Sequence, residues 1–535
     1  MTKISARSLF GSRIPAHHQG ESDKFSLKKL HKTIVATAIT SGLLTAPIAY
    51  ASPAANALPT NGQVAAGQAS ISQSGNVMNI NQSTQRAVIN WSSFNVGSNA
   101  TVNFNTPNSN SSTLNRVNGD SKSMIDGAVN ANGQVIFVNA NGVVFGKGAE
   151  VNTGGLVATT MDIKNSDYMS GKMNFSGGES GKVVNKGTIT ANGVNGYIAL
   201  MAPEVKNQGV LIANISNSNT IALVSGTKVT LSFNGSQLTD ISVDASAINS
   251  LISNKHAIIT NGGQIIIAAN AASNLKSSVI NNTGTINSDS ITTSGGKVFL
   301  TAGTVNQSGT VSANSAQVDG GNITISGNQV NLNTASKTTA TGATSGGQIL
   351  VGKTNANTAQ SQVNAEVVTV AKGAIVDASA TKNGNGGSIN IWSQIATNIA
   401  GILKAAGGNI SGNGGNIDTS SAGAVKYGSS LVVDTTAPHG KTGNWTTDPL
   451  TIIIDGNAAT VLSNALSTTN VTLDATAATC GLGACTQTGT PVITFLADVY
   501  SANPLTSLYL NAQGGSINVN QLLPQYKIQM GKRIL

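Results

Sequence analysis

Charge is scarce in this chain of 535 residues: Asp, Glu, Lys and Arg make up 10%, against roughly 25% in ordinary soluble domains. Aromatic residues reach 4%, and there are only two cysteines. So few thiols exclude a disulfide framework and any cysteine-rich metal centre. Sparse carboxylates argue equally against a polysaccharide lyase, which needs clustered acids for calcium and a base for proton abstraction. The nearest acidic pairs are Asp162 with Asp167 and Asp240 with Asp244, and no Arg or Lys beside them follows a catalytic pattern. No enzymatic activity, cofactor or metal is expected.

The formal charge of +9 is a poor guide to partners. Residues 1–51 hold seven basic residues against Glu21 and Asp23, a net +5, which leaves +4 for all the rest. No basic stripe interleaved with aromatics follows, so no nucleic-acid partner is expected. Lys28, Lys29 and Lys32 precede an apolar run from Thr33 to Ile48 and then Ala49-Tyr50-Ala51, the order of a secretory signal peptide with an extended basic region. The run is interrupted by Ser41, Gly42 and Pro47 and is short of the roughly 20 residues of a membrane span. Cleavage is expected after Ala51, with Ala55-Asn56-Ala57 as a second possible site. In an oxidising compartment Cys480 and Cys485, in CGLGAC, are expected to close a local disulfide. His256 and His439, the two histidines of the mature chain, lie near no second ligand pattern and are expected at the surface.

What the chain has in abundance is glycine, 60 residues, with asparagine, serine and threonine beside it. From Gly133 to Thr160 the sequence GQVIFVNANGVVFGKGAEVNTGGLVATT alternates apolar and polar residues between glycine and asparagine corners. That pattern predicts consecutive short strands and excludes a helix. Farther on, the segment from Asn185 matches that from Asn282, and the unit Gly-Gly-x-Ile/Val recurs at Gly262, Gly320, Gly346, Gly386, Gly414 and Gly514. Irregular spacing of a constant unit predicts stacked coils with loops of varying length. An all-β parallel solenoid satisfies it, with inward Val, Ile and Leu, asparagine ladders, and glycine at corners closed to bulkier residues. About 20 to 25 residues per coil would give roughly 20 coils, each adding about 4.8 Å. The open first edge needs a cap, and Trp91 with Phe94 is read as the plug beneath it. Near residues 430–450 Pro438 and Pro449 mark a boundary, beyond which a further β-rich unit is expected.

Three segments carry a specific resemblance: NWSSFNVGSNATVNFNTP (90–107), LNRVNG (114–119) and GAVNANGQVIFVNANGVVFGKGAEVNTGGLVATT (127–160). They resemble the N-terminal secretion domain of the filamentous haemagglutinin family, exported by two-partner secretion. The resemblance implies a right-handed parallel β-helix with an N-terminal cap. It also implies export through the periplasm of a Gram-negative bacterium and recognition by an outer-membrane β-barrel transporter. Carried over from the family motif, the recognition residues are Asn139, Asn141 and Gly142, with Ala140 where the family usually has proline. Asparagine and glycine are also what any tight turn selects.

The resulting organisation is a signal peptide over 1–51, a secretion domain over 52–300, a β-helix repeat region over 301–430, and a partial, truncated β-rich unit over 431–535. The function expected is that of a secreted or cell-surface adhesin, with a host or bacterial receptor or glycan as partner. The alternatives are the N-terminal stalk of a contact-dependent inhibition toxin, or a truncated remnant of either.

Overall fold

The computed structural model describes residues 52–213, 215–244, 249–271, 277–353, 364–475, 489–501, 503–512 and 514–519, with the backbone of 529–530. The leader of residues 1–51, the cysteine pair Cys480 and Cys485, and the basic C-terminus around Lys532 and Arg533 lie outside the described residues.

Alternation does what it should. In Thr188–Ala191, Glu204–Asn207 and Val210–Ala213 every second side chain is buried, and the residues between face outward. Three such strands make one coil: Val143–Phe145, Glu150–Thr153 and Gly155–Thr159, for example, then Lys182–Asn185, Thr188–Ala191 and Tyr197–Met201. Each strand pairs in parallel register with its counterpart one coil away, Val144 opposite Val184, Val151 opposite Ile189, Leu156 opposite Ile198. Stacking these coils produces sheets of 17, 14 and 11 strands among the described residues, a parallel β-helix. Its interior is a set of columns; one runs Leu200, Leu223, Ile267, Leu300, Ile325, Val351, Ile391 in consecutive coils. The roughly 20 coils expected from the sequence overcount the 17 strands of the longest sheet. Residues that would have made coils are spent on a hairpin, Lys228–Asn234 with Gln237–Val243, and on long connections.

The cap is antiparallel. Gln63–Ala66 pairs with Arg86–Trp91 and Ala69–Ser74 with Val77–Gln82, which turns the first edges of two sheets back on themselves. Trp91 and Phe94 are fully inside. Their rings meet edge to face at 5.4 Å, and Phe94 continues onto Phe137 at 4.8 Å. The indole Nε1 donates to Asn115 Oδ1 at 3.0 Å.

Glycine at the repeating Gly-Gly corners has a different cause from the one expected. Gly142, Gly262 and Gly514 have positive φ, whereas Gly320, Gly346, Gly386 and Gly414 do not. What forbids a side chain there is the preceding coil: a Cβ on Gly321, Gly347, Gly387 or Gly415 would overlap the carbonyl oxygen of Gly296, Gly321, Gly347 or Gly387 respectively.

A buried polar ladder runs through the middle coils. Asn185 Nδ2 donates to Asn207 Oδ1 (2.9 Å), Asn207 to Asn254 (2.8 Å), Asn254 to Asn282 (2.8 Å) and Asn282 to Gln307 Oε1 (2.6 Å). The repeat segments beginning at Asn185 and Asn282 are two rungs of this ladder. Beyond Gln307 the same column continues as Leu332, Val370, Ile399 and Tyr427.

At the far end the 11-stranded sheet stops at Ala424–Tyr427 and the 14-stranded sheet at Val432–Asp434. A ten-residue helix, Gly456–Ala465, packs against both, where the sequence suggested only strands. Asp455 caps it, accepting from the Ala458 amide at 2.8 Å. Ala458, Val461, Leu462 and Ala465 form its buried stripe. Asn457 Nδ2 donates to the Tyr427 carbonyl at 2.6 Å, so the helix covers an otherwise open strand edge. The long sheet continues past it, accompanied by a new three-stranded sheet of Thr451–Ile454, Val492–Phe495 and Ser516–Val519.

Candidate functional site

Asn139, Ala140, Asn141 and Gly142 form the turn between strands Gln134–Val138 and Val143–Phe145. The Gly142 amide donates to the Asn139 carbonyl at 2.9 Å, closing the turn. Inside it the Asn141 amide donates to Asn139 Oδ1, also at 2.9 Å, the local bond by which asparagine mimics a backbone turn. Asn139 Nδ2 then reaches the previous coil, donating to the Ser121 carbonyl and to Ser123 Oγ, each at 3.0 Å. With 1% of its surface exposed, Asn139 is an internal brace. Asn141 is exposed, and its Nδ2 donates to the Gly119 carbonyl at 2.9 Å. Gly142 sits at φ +119°, where an added Cβ would lie 2.7 Å from the Lys182 carbonyl of the following coil. The structure therefore brings the three candidates together and divides them: Asn139 and Gly142 hold three coils in register, while Ala140 and Asn141 form the outward tip.

One member of each acidic pair is occupied. Asp162 accepts from Arg116 Nε at 2.8 Å, and Asp244 is ion-paired with Lys228. His256 and His439 are exposed. Among the described residues no group of His, Cys, Asp and Glu could hold a metal ion.

Two features escaped the linear reading. The first is a second apolar core on the outer face of the long sheet, built from Ile136, Val157, Tyr197, Ala222 and Ile266 and covered by Tyr168, Phe175, Leu231 and Ile241. The cover comes from the short helix Asn165–Met169, the strand Met173–Ser176 and the hairpin Lys228–Val243. Its signal was visible: YIALM (197–201) and IALV (221–224) are unbroken apolar runs, buried on both faces, rather than alternating strands. The second is a carboxylate group one coil apart per member. Burial raises Asp448 to about 7, with the charges of Asp474 and Asp418 adding to it. Burial raises Asp418 too, against a hydrogen bond from Ser420.

A capped parallel β-helix that opens with these motifs is the secretion domain of an exoprotein of the two-partner type, and residues 54–313 match the family model of the TPS secretion domain. In the solved structures the domain is a right-handed β-helix. The HMW1 secretion domain from Haemophilus influenzae is similar, with a TM-score of 0.61 and 27% identity over 71% of this chain and 99% of that one. Two relatives are heme/hemopexin-binding proteins of Haemophilus influenzae. One, from strain Rd, is 34% identical over 218 residues, 39% of this chain. The other is 40% identical over 99 residues, 18% of this chain. The matches span 23% and 11% of those relatives' own lengths.

Proposed function

We propose that the chain is the exported passenger of a two-partner pathway in a Gram-negative bacterium, recognised at its N-terminal domain by an outer-membrane β-barrel transporter and working outside the cell as an adhesin. The observation that carries this reading is the TPS secretion domain itself, at the head of a parallel β-helix. A repetitive rod with small polar surface residues supplies reach and area rather than a catalytic cleft, and a role without enzymatic chemistry fits the ion-pairing of one carboxylate in each of the nearest acidic pairs. Retention at the cell surface and a receptor or glycan partner belong to the same proposal.

Within it, the outward tip of the turn is the transporter's handle and Asn139 its brace. Co-expression with the partner transporter tests this. Asn141→Ala is expected to cut release several-fold while the circular dichroism of the purified domain stays that of a β-helix. Asn139→Ala is expected to lose both release and thermal stability. Normal release of a folded Asn141→Ala chain overturns the handle. Adhesion is tested by binding of the released protein to epithelial and bacterial cells.

The relatives' names favour a second reading, capture of haem or hemopexin. Appearance of a Soret band on titrating haem into the folded protein, or co-purification with hemopexin, would support it over adhesion.

A further inference from the structure

Where the cap meets the outer cover, a cavity of about 340 Å³ opens to solvent between strand Arg86–Trp91 and the hairpin. That lies at the low end of the roughly 300–1,000 Å³ of small-molecule sites. Arg86 lines it, half-buried. Its guanidinium makes no hydrogen bond or ion pair with any other described residue, although burying a charge without a partner is costly. Gly171 leaves space for it: a Cβ there would lie 3.2 Å from Arg86 Nη2. The buried hydroxyls of Tyr168 and Tyr197 lie within electrostatic reach of it, and burial opposes their ionisation. They are neutral neighbours and do not compensate the charge.

The rest of the wall shares this bias. Tyr197 donates its hydroxyl proton to Gln134 Oε1 at 3.0 Å, which turns the Gln134 amide so that its Nε2 is left as a donor. Asn110 and Gln85 stand exposed at the mouth. Gln85 is fixed by Asn108, whose Nδ2 donates to its Oε1 at 3.1 Å. Opposite them, Phe233 lies against Tyr197 edge to face at 5.1 Å and offers an apolar wall. Among the described residues no carboxylate lines the cavity.

We infer that this cavity binds the carboxylate of an acidic sugar, with Arg86 forking onto the two carboxylate oxygens, amide side chains meeting ring hydroxyls, and Phe233 against the ring. A single guanidinium among neutral donors suits a monoanion, and its planar fork matches a carboxylate's geometry. A phosphate dianion would call for a second cation. A purely apolar ligand would leave the guanidinium unpaired.

Calorimetric titration of the full exported chain with galacturonate, galactose and propionate tests this. Galacturonate is expected to bind at least about tenfold more tightly than either of the others, which carry the ring alone or the carboxylate alone. Arg86→Gln is expected to weaken galacturonate by about tenfold or more and Arg86→Lys by less, since lysine keeps the charge and loses the fork. Gln134→Leu, which leaves Arg86 in place, should cost several-fold. An unchanged thermal melt certifies each variant as folded. Galacturonate binding that survives Arg86→Gln, galactose or propionate binding equal to galacturonate, or no heat from the folded wild type at about 20 mM would each overturn the site. Release through the transporter is a separate readout, so a chain exported normally that ignores galacturonate sinks this inference and leaves the export reading standing.

Discussion

One column on the outer face of the long sheet separates two regimes of the same solenoid. Coil by coil it runs Val88, Leu114, Ile136, Val157, Ala199, Ala222, Ile266, Phe299, and then Thr324, Leu350, Asn390, Asp418, Thr446. Through Ile266 these side chains belong to the second core, with Phe299 packed at its margin. Beyond it the column turns polar except at Leu350. The secretion domain is thus a sheet buried on two faces, and the later repeats rely on the interior of the helix. The lesson is that a solenoid's coils need not be equivalent: the end that enters the export pathway carries an additional layer of tertiary structure.

The comparison breaks most visibly at Tyr197. Tyr197→Ala should destabilise the secretion domain by about 3–5 kcal/mol, in the range for removing a large buried ring. Thr324→Ala, at an outward position past the second core, should cost under about 1 kcal/mol. Urea denaturation of the two variants checks the contrast, and equal losses would dissolve it.

A smaller effect is expected along the buried amide ladder. Asn207→Ala removes one rung and strands one Asn185 amide proton, the other still reaching the Val210 carbonyl, and the Asn254 acceptor, at about 1–3 kcal/mol for each unsatisfied group. Hydrogen exchange should report that loss as faster opening of strands Lys182–Asn185 and Ser250–Asn254. Substituting Leu332 by alanine, one coil past the last rung, should open a cavity without orphaning any polar atom.

The smallest effect has opposite signs in the two regions. In the early coils burial would raise Glu204, but hydrogen bonds and charge from Lys182 and Lys206 outweigh it and hold the carboxyl below its usual range. That stability is present at neutral pH and fades as pH falls through the depressed value. Asp448 behaves in reverse: raised to about 7, it favours the folded state below the ordinary carboxylate range and loses that contribution as pH climbs from about 4 to about 7. With solvent screening allowed for, Asp448→Asn should add on the order of 1 kcal/mol at pH 7.5 and little at pH 4. Limited proteolysis at the two pH values, read separately for the coils around Glu204 and around Asp448, sharpens or removes the difference.

How much of this was legible follows the physics of each part. Strand alternation, the Gly-Gly unit and the secretion motifs are local in sequence, so the β-helix, its cap and the Asn139 turn could be read directly. The second core could not be placed so easily, because Tyr168, Phe175 and Leu231 are remote from the strands they cover and follow no repeat. The helix Gly456–Ala465 was masked by flanking β-branched runs, although Asp455 and the alanines were its signal. Asp418, Asp448 and Asp474 are separated by one coil each, so their proximity emerges only once the coil register is known. Asn139 and Asn141 looked alike as letters; burial alone distinguishes the brace from the tip.

The column of paired glycines has a consequence for how such a chain changes its length. Gly321 receives the carbonyl of Gly296 and presents its own to Gly347, which does the same for Gly387. Each coil therefore offers on one face the surface it requires on the other. A duplicated coil meets its neighbours as the original did, and a deleted one leaves two faces that still fit. Length becomes a quantity that recombination can adjust in whole coils, with the junction chemistry unchanged.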